Sequence, residues 1–256
     1  MAELRSLLAQ MGPVAVAVSG GVDSLTLATL AHDLLGANAR MMHATSPAVP
    51  QAATSRVRAI AALRGWDLDV IDAGEFADPD YRANPVNRCF FCKMNLYGAI
   101  GARTDRQILS GTNLDDLGEY RPGLDAARDR NVRHPFVEAA IGKAGVRALA
   151  ASLGLGDVAE LPASPCLSSR VETGIAIEPA TLAMIDRTEQ ALRRALSPKT
   201  VRCRVRRSGM VIELDDEALA RLDPATEQRL RTLLDTARPI AFAPYRNGSA
   251  FLRTAS

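Results

Sequence analysis

Short apolar runs alternate with longer stretches of helical spacing along most of this chain. Val14-Ala15-Val16-Ala17-Val18, bounded by Pro13 and by glycines, predicts a buried strand. The following Leu25-Thr26-Leu27-Ala28-Thr29-Leu30-Ala31 carries its apolar residues at helical spacing. Ala39–Ala44 predicts a second strand, and Thr54–Arg64 a helix with Ala53, Val57, Ile60, Ala61 and Leu63 as its apolar set. The alternating stretch Trp66–Asp72 predicts a third strand, Asn95–Ala102 a helix, and Gln107–Asn113 a strand running into a loop. This succession predicts an α/β fold around a parallel sheet. Ligands of such sheets bind outside the carboxyl ends of the strands, so the loops after Val18, His43 and Leu109 are expected to converge on one site. From about Ile175 the pattern changes. A helix over Thr181–Leu196 is followed by a hairpin of Val201–Val205 with Met210–Leu214, turning through Ser208-Gly209. Two more helical stretches and a Pro/Gly-rich tail complete a smaller α+β unit. The expected domains are 1–172 and 173–256.

Composition narrows the class of protein. With 256 residues, 47% hydrophobic and 23% charged, the chain has room for one large domain, or one domain plus a small one, of ordinary globular make-up. A net charge of +2 and an aromatic content of 4% give no overall signal for nucleic acid. No apolar run approaches a membrane span, and Glu3 and Arg5 in an amphipathic first helix do not suit a signal peptide. The expected location is cytoplasmic, with no membrane partner. Four cysteines in a chain of this size point to metal or redox chemistry before a disulfide framework.

The turn between the first strand and its helix reads Ser19-Gly20-Gly21-Val22-Asp23-Ser24. Backbone N–H groups and the positive end of a helix make an anion site there. Gly20 and Gly21 let the chain come close to a phosphate, while Ser19 and Ser24 add hydroxyl donors. Asp23 is out of place in a phosphate cradle unless it holds a Mg²⁺ that bridges a pyrophosphate. No Gly-Lys-Ser/Thr ending follows, which excludes the kinase and GTPase loop, and the third glycine of a dinucleotide fingerprint is missing.

Cysteine spacing gives the second signal. Cys89-Phe90-Phe91-Cys92 is a CxxC pair flanked by Arg88 and Lys93, and Cys166 lies far downstream in Pro165-Cys166-Leu167-Ser168-Ser169-Arg170. A redox pair, half a zinc site and part of an iron–sulfur site all use CxxC. A structural zinc would have to recruit Cys203 or His134 as a fourth ligand. Three thiolates on a 4Fe–4S cluster with one open iron match the count without help. Cys203 alternates with Arg202, Arg204 and Arg206 along a strand and is read as core.

The Ser19–Ser24 hexapeptide resembles the SGGxDS loop of the PP-loop ATP pyrophosphatases at every fixed position. The resemblance sharpens to the LarE family of ATP-dependent sulfur transferases, which build the nickel-pincer nucleotide. It runs through Asn87–Lys93, Gly111-Thr112-Asn113-Leu114-Asp115-Asp116, Tyr120-Arg121-Pro122-Gly123, Pro135–Ala139, Cys166–Arg170 and Arg204-Val205-Arg206. It implies an adenine nucleotide alpha hydrolase-like fold and a dicarboxylated pyridinium mononucleotide as substrate. ATP adenylates one carboxylate, and sulfur then replaces AMP to give a thiocarboxylate. Some members sacrifice the sulfur of the cysteine matching Cys166. Others carry the CxxC as well, and the full set here favours a cluster fed by sulfide or a sulfide donor. Arg207-Ser208-Gly209 and Glu172-Thr173-Gly174 depart from the family's usual His-Gly and Pro-Tyr-Gly.

Residue roles follow from the chemistry and the resemblance together. Ser19, Gly20, Gly21 and Ser24 are expected on the pyrophosphate and Asp23 on Mg²⁺. Ser168, Ser169 and Arg170 are expected to hold a phosphate or carboxylate of the substrate beside the Cys166 sulfur, since a guanidinium binds such anions bidentately. Arg206 and Arg121 are weaker candidates of the same sort. Asp115, Asp116 and Glu119 either face the nucleotide or solvate a loop. Glu189 and Glu213 match acidic positions of the family, where one can contact a cation. A homo-oligomer is expected. A tRNA thiolase of the same superfamily shares the adenylation and the three cysteines, but calls for a basic, aromatic-bearing surface or an appended RNA-binding domain, neither of which is visible. A non-catalytic zinc protein would leave the Ser19–Ser24 chemistry unexplained.

Overall fold

The computed structural model describes residues 2–118, 121–234 and 239–246. It divides into two compact units: Met1–Asp78 with Asn87–Ser164, and Pro79–Val86 with the described residues from Pro165 onward. The chain therefore leaves the first unit at Pro79 and returns at Asn87. It crosses for good at Pro165, which puts Cys166 in the second unit and Cys89 and Cys92 in the first.

The first unit is built on a four-stranded parallel sheet of β1 (Val14–Ala17), β2 (Ala39–Thr45), β3 (Asp67–Asp72) and β4 (Gln107–Ser110), in the order β3-β2-β1-β4. Both faces are covered. Val14, Val16, Met41 and Leu109 point into a core with Leu25, Leu30, Phe136, Val146 and Leu149. Their neighbours Ala15, Met42, Ile71 and Ile108 point the other way, to Tyr97, Ile100, Ala127 and Val132. Strand side chains alternate between faces, and a sheet covered on both sides needs apolar residues on each. Hence the unbroken apolar run of β1. Chain order runs outward from β1 to β3 and then resumes on the opposite side with β4. The switch point lies between β1 and β4, where Ala17 and Ser110 are in register.

Two helices depart from the expected pattern. Helix Gln51–Arg64 buries Ala53, Val57 and Ala61, but Leu63 is 83% exposed, because it falls off the buried stripe. The helix expected from Asn95 begins at Arg88, with Asn87 in the capping position and Phe90 N–H donating to the Asn87 carbonyl (2.8 Å). The CxxC therefore forms the first turn of that helix and does not precede it.

The second unit holds β5 (Val201–Arg206), β6 (Gly209–Leu214) and β7 (Ile240–Pro244). The hairpin β5–β6 is antiparallel as expected, while β7 lies parallel to β6. Helix Pro179–Leu196 packs on β5 and buries Leu182, Ile185, Leu192 and Leu196. Each such side chain contributes about 1.5–3 kcal/mol by leaving water. The Pro/Gly-rich tail past Arg246 lies outside the described residues. Among the described residues no helix is long and apolar enough to cross a membrane.

Candidate functional site

The loop after β1 is held open by its own hydroxyls. Ser24 Oγ accepts from Ser19 N–H (3.0 Å), donates to the Gly21 carbonyl (3.1 Å) and lies 3.0 Å from Ser19 Oγ. The two glycines serve different ends. Gly20 has φ +82°, and a Cβ there would stand 2.8 Å from the Ala53 carbonyl, so the fold itself demands glycine. Gly21 has φ −86° and ψ 163°, ordinary extended backbone, and a Cβ would meet nothing nearer than Ser19 Oγ at 3.6 Å. Nothing in the protein's own packing requires glycine at 21. The space a Cβ would fill lies at the start of helix Val22–Leu35, whose first N–H groups have no intrahelical acceptor.

The loop after β4 closes onto this turn. Gly111 packs so tightly that a Cβ would lie 2.7 Å from Ser24 N and 2.8 Å from Asp23 C. Asn113 Nδ2 donates to Asp23 Oδ1 (3.1 Å), and Lys143 Nζ lies 2.6 Å from Asp23 Oδ2. Asp23 and Lys143 both remain partly open to solvent. The second strand contributes through His43, fully buried, with Nδ1 at 2.8 Å from the Val18 carbonyl and Nε2 at 2.9 Å from Thr54 Oγ1. Arg56 Nη1 donates to the Gly20 carbonyl (2.7 Å). The loops after Val18 and Leu109 thus meet within the first unit, while the second strand reaches the turn through His43 and the helix after it through Ala53 and Arg56. Asp115 and Asp116 turn out to serve the loop. Asp115 Oδ2 accepts from Lys143 N–H (2.6 Å), while Asp116 accepts from Asn113 N–H (3.0 Å) and pairs with Arg121 (2.8 Å). Glu119 and Tyr120 lie outside the described residues.

Lys143, Asn113 and His43 were not singled out from the sequence. Lys143 carried a usable signal. It opens helix Lys143–Ser152, and a cation on the first turn opposes the helix dipole, so its presence there asks for a partner such as Asp23.

Among the described residues no disulfide joins the four cysteines. Cys89, Cys92 and Cys166 are partly exposed, whereas Cys203 is buried and its thiol is pushed far up by desolvation. Cys203 is core, as its strand position indicates. Cys89 and Cys92 stand about one turn apart at the start of helix Arg88–Gly101. Among the described residues, no group of three or more His, Cys, Asp and Glu side chains is arranged to hold a metal ion.

In the second unit the residues after Cys166 are spent on the protein. Ser168 is fully buried, with its Oγ 2.7 Å from Tyr81 OH, and Ser169 Oγ donates to the Cys166 carbonyl (2.7 Å). Arg170, expected on a substrate anion, is 1% exposed. It grips Glu189 with Nε and Nη2 (2.9 and 3.0 Å) and donates from Nη1 to the carbonyls of Pro165 (2.6 Å) and Cys166 (3.1 Å) and to Ser169 Oγ (3.1 Å). The bidentate fork is there, but its carboxylate is internal. Burial works to raise the Glu189 carboxyl, but the Arg170 fork, the Cys203 N–H and Arg193 outweigh it and hold the group below the usual carboxylate range. Glu213 likewise pairs with Arg204 (3.0 Å) and with the partly exposed Arg206 (3.1 Å). The cations that Glu189 and Glu213 contact are therefore arginines.

No protein-family model matches the chain. An uncharacterized protein of Synechocystis is 38% identical over 220 residues, covering 84% of this chain and 81% of the relative. One from Methanocaldococcus jannaschii is 27% identical over 208 residues, covering 80% and 78%. The pyridinium-3,5-bisthiocarboxylic acid mononucleotide synthase of Lactiplantibacillus plantarum is 29% identical over 220 residues, covering 84% and 79%. These alignments span most of each chain, and at that length each includes the Cys166 loop. The chain belongs to the LarE family.

Proposed function

We propose that this protein is a sulfur transferase that uses ATP to adenylate a carboxylate of a dicarboxylated pyridinium mononucleotide, then replaces AMP by sulfur to form a thiocarboxylate. The observation that carries this reading is the Asp23–Lys143 pair beside a glycine, Gly21, that the fold does not need. A carboxylate, an ammonium and a vacant backbone shelf at one helix start suit a metal-bound polyphosphate. Family membership and the printed name of the Lactiplantibacillus relative support the substrate class.

On this reading Ser19, Gly20, Gly21 and Ser24 hold the pyrophosphate portion of ATP. Asp23 is the residue that would hold Mg²⁺, which when bound neutralises phosphate charge. Lys143, partly open to solvent beside Asp23, would meet a phosphate oxygen. The carboxylate oxygen of the substrate attacks the α-phosphorus and pyrophosphate leaves. Sulfide then attacks the acyl carbon and AMP departs with the electron pair of the broken C–O bond. Cys89, Cys92 and Cys166 would hold a 4Fe–4S cluster, a donor set that suits them as three partly exposed thiols, set apart from buried Cys203. Bound, the cluster would supply an open iron to carry hydrosulfide. Arg170 serves by fixing the Cys166 loop, and Arg206 keeps the more open guanidinium for a substrate anion.

A second reading draws on one observation. Cys166 belongs to a different compact unit from Cys89 and Cys92. Sacrifice of the Cys166 sulfur would need that residue alone.

Given Mg-ATP and the pyridinium dicarboxylate mononucleotide, the protein should release AMP and pyrophosphate. ADP and orthophosphate would overturn the assignment. Anaerobic reconstitution should give iron–sulfur absorbance that is lost in Cys89→Ala, Cys92→Ala and Cys166→Ala and kept in Cys203→Ala. Dehydroalanine at 166 after a single turnover selects the sacrificial route.

A further inference from the structure

We infer that Pro79–Val86 is a strap that holds the Cys166 loop in one arrangement for sulfur transfer, with Tyr81 and Asn84 as its positioning residues. The inference rests on the reading of Cys166 as a sulfur-bearing residue. The chain before the strap, through Asp78, and the chain after it, from Asn87, both belong to the first unit, yet the strap belongs to the second. Connecting β3 to helix Arg88–Gly101 does not call for such an excursion.

Its hydrogen bonds reach the segment that follows Cys166. Tyr81 is 1% exposed, and its hydroxyl lies 2.7 Å from Ser168 Oγ, two residues past the cysteine. Asn84 is fully buried in the left-handed region (φ +55°), which asparagine tolerates better than most side chains. Its amide donates to the carbonyls of Glu172 and Ile175, both at 2.9 Å, and its own carbonyl accepts from Gly174 N–H (2.9 Å). Ile177 N–H donates to the Arg82 carbonyl (2.9 Å). The strap thus holds Ser168 and the stretch Glu172–Ile177.

The turn between those points is fixed from within. The Cys166 carbonyl accepts from Ser169 N–H (3.0 Å), Ser169 Oγ (2.7 Å) and Arg170 Nη1 (3.1 Å), and Val171 N–H donates to the Ser168 carbonyl (3.1 Å). With that backbone held, rotation about χ1 is the main freedom left to a partly exposed sulfur. Packing alone would be served by a buried aromatic ring. A hydroxyl and an amide both aimed at the segment that follows one cysteine are served by positioning, and small misplacements at a reacting atom are expensive.

The test compares Tyr81→Phe, which removes one oxygen and keeps the ring, with Asn84→Asp, and with Arg82→Ala as a control that breaks only an exposed ion pair to Glu178. Each full-length variant is assayed for single-turnover pyrophosphate release, for thiocarboxylate formation, and for the iodoacetamide alkylation rate of Cys166 relative to Cys89 by peptide mass spectrometry. Tyr81→Phe should lower thiocarboxylate formation about tenfold, leave pyrophosphate release unchanged, and raise the Cys166:Cys89 alkylation ratio severalfold. Asn84→Asp should do the same or more, and Arg82→Ala should match the parent in all three. Equal losses in pyrophosphate and thiocarboxylate, or an unchanged alkylation ratio in folded Tyr81→Phe, would overturn the strap. Cys166→Ala with parental sulfur transfer would instead remove the reading beneath it, whatever Tyr81→Phe does.

Discussion

The turn Ser19–Ser24 and the turn Cys166–Arg170 carry much the same chemistry in their sequences: small residues, two hydroxyls and one charged group within a few positions. The fold uses them in opposite ways. In the first, the charged pair Asp23–Lys143 stays partly open, and Gly21 leaves a space that the protein does not fill. In the second, both hydroxyls and the guanidinium are buried and bonded within the protein, Ser168 to Tyr81, Ser169 to the Cys166 carbonyl and Arg170 to Glu189 and nearby carbonyls. The first turn keeps open the space that the proposed phosphate site requires, whereas the second is bonded throughout to its own chain.

The largest effect should come from Arg170. Arg170→Ala would take the two-pronged partner from the buried Glu189 carboxylate, leaving it the half-exposed Arg193 and the Cys203 N–H, at a cost of about 3 kcal/mol in stability. A fall in urea midpoint of that size, with the parental slope, checks it. Arg170→Met with Glu189→Met should recover much of the loss, because an apolar pair avoids the uncompensated charge. If Arg170→Ala melted like the parent but lost substrate affinity, the guanidinium would be a substrate fork after all. The ion pair also sets an acid limit. The Glu189 carboxyl is held low in the folded state, so its contribution is complete above the usual carboxylate range and disappears as pH falls through the depressed value.

Asp23→Ala should show the reverse signature. Its carboxylate is partly solvated, so stability should change by less than about 1 kcal/mol. Turnover should fall about 10²–10³-fold, the size expected when a charge that organises phosphates is removed. Lys143→Met should give a similar split, with somewhat less loss of rate. A thermal shift beside single-turnover AMP formation reads both quantities. Loss of fold in Asp23→Ala would put the pair among the scaffold and erase the contrast between the turns.

Much of this fold was legible because parallel strands buried on both faces spell themselves out as apolar runs. β1 to β4, the β5–β6 hairpin and the long helix before it all lie close to where periodicity puts them. Leu63 was misread because apolar character does not decide which side of a helix faces the core. The start of helix Arg88–Gly101 was hidden by Cys-Phe-Phe-Cys, whose residues suit strand and helix alike. β7 and the Pro79–Val86 excursion leave no local trace, since each is defined by a distant partner. The same limit applies to the site. Residue types marked both turns, but whether Arg170 points to a ligand or to Glu189 depends on a helix nineteen residues away. Lys143, 120 residues from Asp23, could be noticed only as a charge on the wrong end of a helix.

The two glycines sharpen the comparison at single-atom scale. Gly20→Ala should cost about 1–3 kcal/mol, because its backbone is left-handed and its new methyl would press on the Ala53 carbonyl. Gly21→Ala should be neutral or stabilising by about 0.4–1 kcal/mol, since the backbone already suits alanine and the unfolded chain loses freedom. ATP affinity should nonetheless fall about tenfold or more, because the methyl would occupy the space left for phosphate. Calorimetric titration with Mg-ATP checks this. Native ATP affinity in Gly21→Ala would mean that the vacant shelf is not the phosphate site.

The smallest effect concerns pH, and it separates the two units again. The second unit relies on charged carboxylates, so its weakness lies in acid. In the first unit His43 is held below the ordinary histidine range, by burial first and by the nearby Arg58 charge, against a raising contribution from the Val18 carbonyl. A neutral ring donates from Nδ1 to the Val18 carbonyl and accepts at Nε2 from the Thr54 hydroxyl. A proton on Nε2 would turn an acceptor into a donor facing that hydroxyl and would bury a charge. Because the folded value lies below the unfolded one, the stabilisation is complete above about pH 6.5 and is lost as pH falls toward the folded value. His134 is shifted the same way by burial, so it should contribute a parallel share. Melting temperature should therefore begin to drop between pH 7 and pH 5, before the Glu189 pair is touched. His43→Gln should melt lower than the parent at pH 7 but with a shallower dependence over that window, His134 leaving the remainder. The Val18 carbonyl stands directly before Ser19, so Mg-ATP affinity should weaken over the same window in the parent and less in His43→Gln. An identical pH slope in parent and variant would show that His43 supports the loop through packing alone.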